Sequence, residues 1–167
     1  MDRPSYTVLT FLFGDYEKLH EVEDIQPNVE YLCITDNKRL RSKTWKVIYD
    51  NVDKSYTPFR KVIETRYNPF KYAHSDVCLM IDGSISLKIF PWKLMNKFKY
   101  DGYELAALSH PERCLLEDEL EAWKKLRGFS ETNVLASKSF LENIKYPKNF
   151  KVLYQVGILC LRKCEKT

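Results

Sequence analysis

Apolar runs rich in β-branched and aromatic residues dominate the first half of the chain, and turn-forming polar residues end each of them. These runs cover residues 6–13, 31–35, 45–49 and 77–81. Continuous apolar runs of this length predict strands that are buried on both faces. Two further apolar segments, residues 104–109 and 152–161, predict additional strands in the second half.

Segments with helical spacing of apolar residues separate the predicted strands. In residues 58–67 the apolar positions Phe59, Val62, Ile63 and Tyr67 follow the helical repeat. Residues 91–98, 114–126 and 132–144 predict three more helices, of which the first opens with proline. Because strands alternate with helices, the pattern predicts an α/β fold with a mixed, mainly parallel sheet flanked by helices.

Polar residues follow the predicted strands at the point where each strand ends. Asp36 and Asn37 follow the second run, and Asp82 and Gly83 follow the fourth. Ligands of open α/β sheets bind outside the carboxyl ends of the strands, so Asp36 and Asp82 are expected at one edge and in one cleft. The pair at residues 14–15 is interpreted as a plain turn.

The segment from Asp82 to Ser84 is the strongest candidate for chemistry. Asp82 follows five apolar residues, and Gly83 and Ser84 come directly after it. A carboxylate at the mouth of a buried strand can hold Mg²⁺ or Mn²⁺ together with substrate phosphates, and a serine hydroxyl can join it. Glycine would let a ligand approach the backbone. A tight Asp-Gly turn without a ligand is the alternative.

Composition narrows the class of protein. The 167 residues include 44% hydrophobic and 30% charged residues, which is typical of a globular domain, here expected to be a single one over residues 1–167. The net charge of +4 without a long basic run argues against a nucleic-acid partner. Five cysteines without a Cys-x-x-Cys pair, and no apolar leader, predict a cytoplasmic protein without a transmembrane segment. Any contact with the inner face of a membrane would be peripheral.

Several short motifs occur in an order that resembles a family of bacterial glycosyltransferase-like proteins with an aromatic-Ile-Asp-Gly-(Asn/Ser)-Ile signature. The matching segments are residues 6–15, 31–37, 43–46, 80–85, 110–113 and 153–162. The family is tied to capsular and other surface polysaccharides. The resemblance implies a Rossmann-like GT-A domain that binds a nucleotide-sugar and transfers the sugar to a glycan or lipid-linked acceptor.

The resemblance also implies roles for individual residues. Asp82, His110 and Arg113 would be catalytic, and Asp82 with Ser84 would hold Mn²⁺ or Mg²⁺, weakly in the absence of nucleotide. Asp118 and Glu119 would form the acidic helix behind His110. A turn-capping role before Pro111 stands beside the catalytic role of His110. The residues expected to contact the donor nucleotide are Thr10, Phe11, Phe13, Asp36, Arg66 and Gly83.

Two alternatives to a glycosyltransferase remain open. A non-catalytic nucleotide- or glycan-binding relative is favoured by the short C-terminus after the last predicted strand and by the lack of any histidine beyond His110. A sugar nucleotidyltransferase uses a similar sheet, but it normally needs a basic, glycine-rich loop after the first strand. The loop that begins at Gly14 is neither basic nor rich in glycine.

Overall fold

A computed structural model describes residues 4–14, 17–50, 55–128, 130–146 and 153–164. Within these residues the chain forms six strands and four α-helices. In chain order they are β1 (Tyr6–Leu12), β2 (Val29–Thr35), β3 (Lys46–Tyr49), α1 (Pro58–Tyr67), β4 (Val77–Ile81), α2 (Trp92–Asp101), β5 (Leu105–Ser109), α3 (Leu116–Arg127), α4 (Glu131–Asn143) and β6 (Tyr154–Arg162). A 3₁₀ turn, Pro69–Lys71, lies between α1 and β4.

The six strands form one sheet in the order β3-β2-β1-β4-β6-β5. The four N-terminal strands are parallel to one another, with β1 in register with β2 through Tyr6 and Val29, and with β4 through Thr7 and Cys78. Strand β6 is antiparallel to β4. This confirms the predicted α/β class and the mixed, mainly parallel sheet.

Strands β1, β2 and β4 are buried on both faces, as their unbroken apolar runs predicted, but β3, which was also expected to be buried, is only partly covered because it lies at the end of the sheet. Tyr6, Val8 and Leu12 of β1 pack on one face in a cluster that includes Met95 and Phe98 of α2. The alternate residues of β1 pack on the opposite face in a cluster that includes Val62 of α1. Every residue of β1 and β4 is buried. Both strands therefore have little freedom to move, and their carboxyl ends are a rigid platform.

The observed elements lie within a few residues of the predicted ones, and the differences have local causes. Helix α1 has the predicted bounds because Thr57 caps its first turn, accepting a hydrogen bond from the Arg60 backbone N–H at 3.2 Å. Trp45 lies outside β3, and its backbone N–H donates to Ser42 Oγ at 2.9 Å. Asp15 and Asn51, two of the residues expected to end strands, lie outside the described residues.

The chain divides into two compact units. The first comprises Met1–Ala107 and Val156–Thr167, and the second comprises Leu108–Gln155. The first unit contains β1 to β4, α1 and α2, and the second contains α3 and α4. The expectation of a single domain over residues 1–167 stays a prediction. In the described part of the chain, no helix combines the length and the apolar character needed to cross a membrane.

Candidate functional site at the carboxyl edge of the sheet

Asp36 and Asp82 lie at the same edge of the sheet, one on each side of β1. Strands β2 and β4 both run parallel to β1, so all three strands end at this edge. Asp36 follows the last residue of β2 and Asp82 follows the last residue of β4. The predicted placement of the two carboxylates at one edge is confirmed.

Helix α1 supplies a cation to each of these carboxylates. Lys61 Nζ lies 3.0 Å from Asp36 Oδ2, and Arg66 Nη2 lies 2.6 Å from Asp82 Oδ1. The side chains of Lys61 and Arg66 are only 10% and 16% exposed, so both ion pairs are shielded from water on the cationic side. Charge-assisted hydrogen bonds of this kind fix both partners in place.

One helix serves two strand ends. Lys61 and Arg66 are five positions apart in α1, and their long side chains reach the carboxylates that follow β2 and β4, the two strands that flank β1. Arg66 was an expected donor-contacting residue, whereas Lys61 was missed because its partner is fixed only by the sheet order.

Phe11 of β1 and Phe13, which follows the end of that strand, lie next to the two cations. The Arg66 guanidinium lies 5.3 Å from the Phe11 ring centroid, and the Lys61 ammonium lies 5.9 Å from that of Phe13. Both distances are in the range of cation–π attraction. Phe11 and Phe13 are buried, so their first role is to position the two cations. Contact between these rings and a nucleotide base stays a prediction.

Asp82 is held by its backbone as well as by Arg66. Its N–H donates to the Gly157 carbonyl at 2.8 Å, and its carbonyl accepts from the Ile85 N–H at 2.9 Å. A Cβ at Gly157 would lie 3.2 Å from Asp82 Oδ2. The absence of a side chain at Gly157 therefore leaves space for the Asp82 carboxylate.

Gly83 is required for a different reason from the one expected. A Cβ at this position would lie 2.4 Å from Leu12 Cδ2 and 2.7 Å from Glu17 Oε2. The space next to Gly83 is thus filled by two side chains of the chain itself. Ser84 follows on the same turn and is exposed. Its contact with a metal stays a prediction.

Glu17 is a carboxylate of this region that the sequence did not single out. It lies against Gly83 and close enough to Asp82 for their charges to interact. Burial, followed by the negative charge of Asp82, raises the pKa of Glu17 above its usual value, and His20 acts weakly in the opposite direction. No motif surrounds Glu17 in the sequence, so no local pattern indicated that it belongs to this site.

Cavities open around the loop that follows β2. One of about 270 Å³ lies between the ends of β1 and β2 and is lined by Leu12, Phe13, Glu17, Lys18, Leu19, Thr35, Asn37, Leu40 and Arg41. A second of about 510 Å³ is lined by Gly14, Asp36, Asn37, Lys38 and Arg39. Four cationic side chains thus border the two cavities, which favours an anionic ligand.

The remaining expected contacts of the nucleotide differ in their accessibility. Asp36 lines the larger cavity, and its Oδ1 accepts a hydrogen bond from the Gly14 N–H at 3.2 Å. Thr10 is 1% exposed, and its hydroxyl has no hydrogen-bond partner among the described residues. Thr10 therefore lies beneath the edge, inside the sheet, whereas Asp36 is open to a ligand.

His110 and Arg113 belong to the second compact unit, where they contact one another and the acidic helix α3. His110 Nδ1 lies 3.0 Å from the backbone nitrogen of Arg113 and 3.2 Å from that of Glu112. Arg113 Nε donates to Glu119 Oε2 at 2.5 Å, and the Trp123 indole N–H donates to Glu119 Oε1 at 2.6 Å. The contacts of His110 fit the turn-capping alternative.

Glu119 is the acceptor that holds this second cluster together. Burial opposes its ionisation, but the hydrogen bonds from Arg113 and Trp123 hold the pKa of Glu119 below its usual value. The carboxylate is therefore committed to two donors within its own unit. Asp118, the other acidic residue expected here, precedes it in the first turn of α3.

Asp82 is the residue best placed to bind a divalent cation. Its Oδ1 is held by Arg66, so Oδ2 is the oxygen left for a ligand. The described residues contain no cluster of three or more His, Cys, Asp or Glu side chains suited to a metal ion. A single carboxylate fits a cation that takes its other charged ligands from substrate phosphates, which is usual for Mg²⁺.

The chain was compared with protein-family models, curated proteins and solved structures, and none of them matches it.

Proposed function

We propose that the protein is a GT-A-type glycosyltransferase, which moves a sugar from a nucleoside-diphosphate sugar to a glycan or lipid-linked acceptor in surface polysaccharide synthesis. The observation that carries the proposal is the pair of strand-end carboxylates, Asp36 and Asp82, each with its own cation from α1. One cavity bordered by basic residues opens beside Asp36, and another lies between the ends of β1 and β2. An anionic ligand that also offers hydroxyl groups suits this combination of charges.

Each part of such a donor has a counterpart at the edge. Asp36 accepts hydrogen bonds from the ribose hydroxyls, since it lines the larger cavity. Arg66 and Lys61 offer positive charge to the diphosphate. Asp82, with Ser84, holds Mn²⁺ or Mg²⁺ only when the diphosphate supplies the remaining charged ligands. The bound cation would offset the negative charge that develops on the leaving nucleoside diphosphate.

Thermal unfolding in the presence of candidate donors tests binding. A ligand that binds only the folded protein raises the melting temperature by mass action. We expect UDP-, GDP- or CMP-sugars to raise it in the presence of Mn²⁺, and free nucleoside triphosphates to raise it less. Release of nucleoside diphosphate on addition of a glycan or polyprenyl-phosphate acceptor tests transfer. If no nucleotide-sugar shifts the melting temperature, the proposed function is wrong.

The substitution Asp82→Asn tests whether the donor and its cation bind at Asp82. The amide keeps the shape and can still accept from Arg66, but it lacks the charge that a divalent cation requires. We expect donor affinity in Mn²⁺ to fall by roughly 10- to 100-fold, as for the loss of a charged interaction. Asp101→Asn is the matched control, because Asp101 lies at the exposed end of α2 and pairs only with Lys97 among the described residues. Equal losses in both variants would exclude a site at Asp82.

A nucleotide-binding module without catalytic activity is a second candidate. The ion pair between Arg66 and Asp82 favours it, because a guanidinium already neutralises the carboxylate on which the metal depends. Such a module would bind nucleotide-sugars equally well with and without Mn²⁺ and would release no nucleoside diphosphate. Turnover in the acceptor assay separates the two candidates.

A further inference from the structure

The cavity between the ends of β1 and β2 contains a carboxylate with no hydrogen-bond donor among the described residues. Glu17 lines this cavity, and its pKa is governed by burial and nearby charges rather than by hydrogen bonds. Asp36 and Asp82, by contrast, each have a cation within 3.0 Å. Glu17 is partly exposed, so its oxygens are open to a ligand that supplies N–H groups.

We propose that Glu17 recognises the base of the donor nucleotide and selects guanine, so that the donor is a GDP-sugar. This inference rests on the proposed function, in which the cavities at the edge hold a nucleotide. It adds the identity of the base, which neither the strand ends nor the ion pairs specify.

The hydrogen-bonding edges of the bases explain the choice. Guanine presents two adjacent donors, N1–H and the 2-amino group, which match the two oxygens of a carboxylate. Uracil presents a single N–H between two carbonyl oxygens, and these oxygens would repel a carboxylate. In cytosine and adenine the amino group lies next to a ring nitrogen that is an acceptor. A carboxylate therefore favours guanine over the other bases.

The walls of the cavity suit a flat base with acceptors on its other side. Leu12 and the partly exposed Leu40 provide apolar surface, against which a ring system can pack. Lys18 and Arg41 line the same cavity and can donate to the O6 and N7 acceptors of guanine. The donor and acceptor pattern of the walls is thus complementary to guanine on both sides.

Titration calorimetry of the wild-type protein with free nucleoside diphosphates tests the inference. The probes are GDP, UDP, CDP, ADP and IDP, each with Mn²⁺. IDP differs from GDP only in lacking the 2-amino group. We expect GDP to bind most tightly and IDP to bind roughly 10- to 100-fold more weakly, because one charged hydrogen bond is lost. UDP binding as tightly as GDP would overturn the inference.

Glu17→Gln tests the residue itself. Its amide has one acceptor and one donor, so we expect GDP affinity to fall to that of IDP and UDP affinity to rise. Glu23→Gln is the matched control, since Glu23 lies in the same loop, is exposed and pairs with Lys88. Melting temperatures report whether each variant is folded. If Glu17→Gln keeps the wild-type ratio of GDP to IDP affinity, Glu17 does not contact the base.

The outcomes separate this inference from the proposed function. Preference for GDP without sugar transfer supports the guanine site and contradicts the enzyme. Transfer from a UDP-sugar but not from a GDP-sugar supports the enzyme and overturns the guanine site. Absence of binding by every nucleotide overturns both.

Discussion

Two clusters of charged residues in this protein are organised in opposite ways. At the carboxyl edge of the sheet, Asp36 and Asp82 are each paired with one cation, and Asp36 borders an open cavity with basic walls. In the second compact unit, Glu119 accepts from Arg113 and Trp123, and Arg113 in turn faces His110. The first cluster keeps oxygens available for a ligand, while the second satisfies its members internally.

The difference teaches how to assign charged residues to function. A charged group that meets all its partners within the same local cluster is best explained as structural, even when its residue type is common in catalysis. A carboxylate at a rigid strand end, with part of its surface open, can exchange a protein partner for a ligand. Variants of the two clusters should therefore separate ligand binding from stability.

Among these variants, Arg66→Met should cause the largest loss of stability and donor binding. It leaves Asp82 without its cation and close to Glu17, so we expect a loss of about 1–3 kcal/mol of unfolding free energy. Donor binding should also fall, because the diphosphate loses positive charge. Chemical denaturation and calorimetry measure the two effects. Arg60→Met, on an exposed position of the same helix, is the control. A stable variant with full donor affinity would contradict the role of Arg66.

Gly157→Ala should weaken donor binding, whereas Gly102→Ala should lower stability. At Gly157 the new Cβ would lie 3.2 Å from Asp82 Oδ2, so we expect weaker donor binding with a melting temperature near that of wild type. Gly102 has a φ of 77° and open space around it, so alanine there should cost about 1–2 kcal/mol of backbone strain and leave binding unchanged. If the two variants showed the same changes in donor affinity and in stability, Gly157 would have no specific role at the binding edge.

His110→Ala tests the internally satisfied cluster. The variant removes the acceptor of two backbone N–H groups, so we expect a loss of about 1–2 kcal/mol in stability. Faster hydrogen exchange at Glu112 and Arg113 should accompany it, and donor affinity should not change. Loss of transfer at wild-type stability would instead support the catalytic role that the sequence resemblance implied.

Glu21→Gln should have the smallest effect at neutral pH and a clear one in acid. Burial opposes ionisation of Glu21, but hydrogen bonds from Ser42, Thr44 and two backbone N–H groups lower its pKa from 4.5 to about 2. A lowered folded-state pKa contributes stability above the unfolded value, and this stability is lost as the pH falls from about 5 to about 2. Between pH 5 and pH 2 the melting temperature of Glu21→Gln should fall less than that of Glu23→Gln.

Most elements of the fold could be predicted from local patterns. Strand β4 and helix α1 have the predicted bounds, because an unbroken apolar run and a capped, Pro-initiated helix are specified by neighbouring residues. The shared edge of Asp36 and Asp82 was also predicted, from the rule that ligands of open α/β sheets bind outside the carboxyl ends of the strands. The pairing of Lys61 with Asp36 could not be predicted, because 25 residues separate them.

The sequence by itself determined the class of fold and the two strand-end carboxylates, because hydrophobic periodicity and turn residues act over short distances. Only the tertiary structure decided which cation meets which carboxylate, why Gly83 and Gly157 lack side chains, and that Glu17 lines a cavity. These features depend on sheet order and on side chains that meet from distant parts of the chain. Such contacts are set by packing of the whole unit, which no local pattern records.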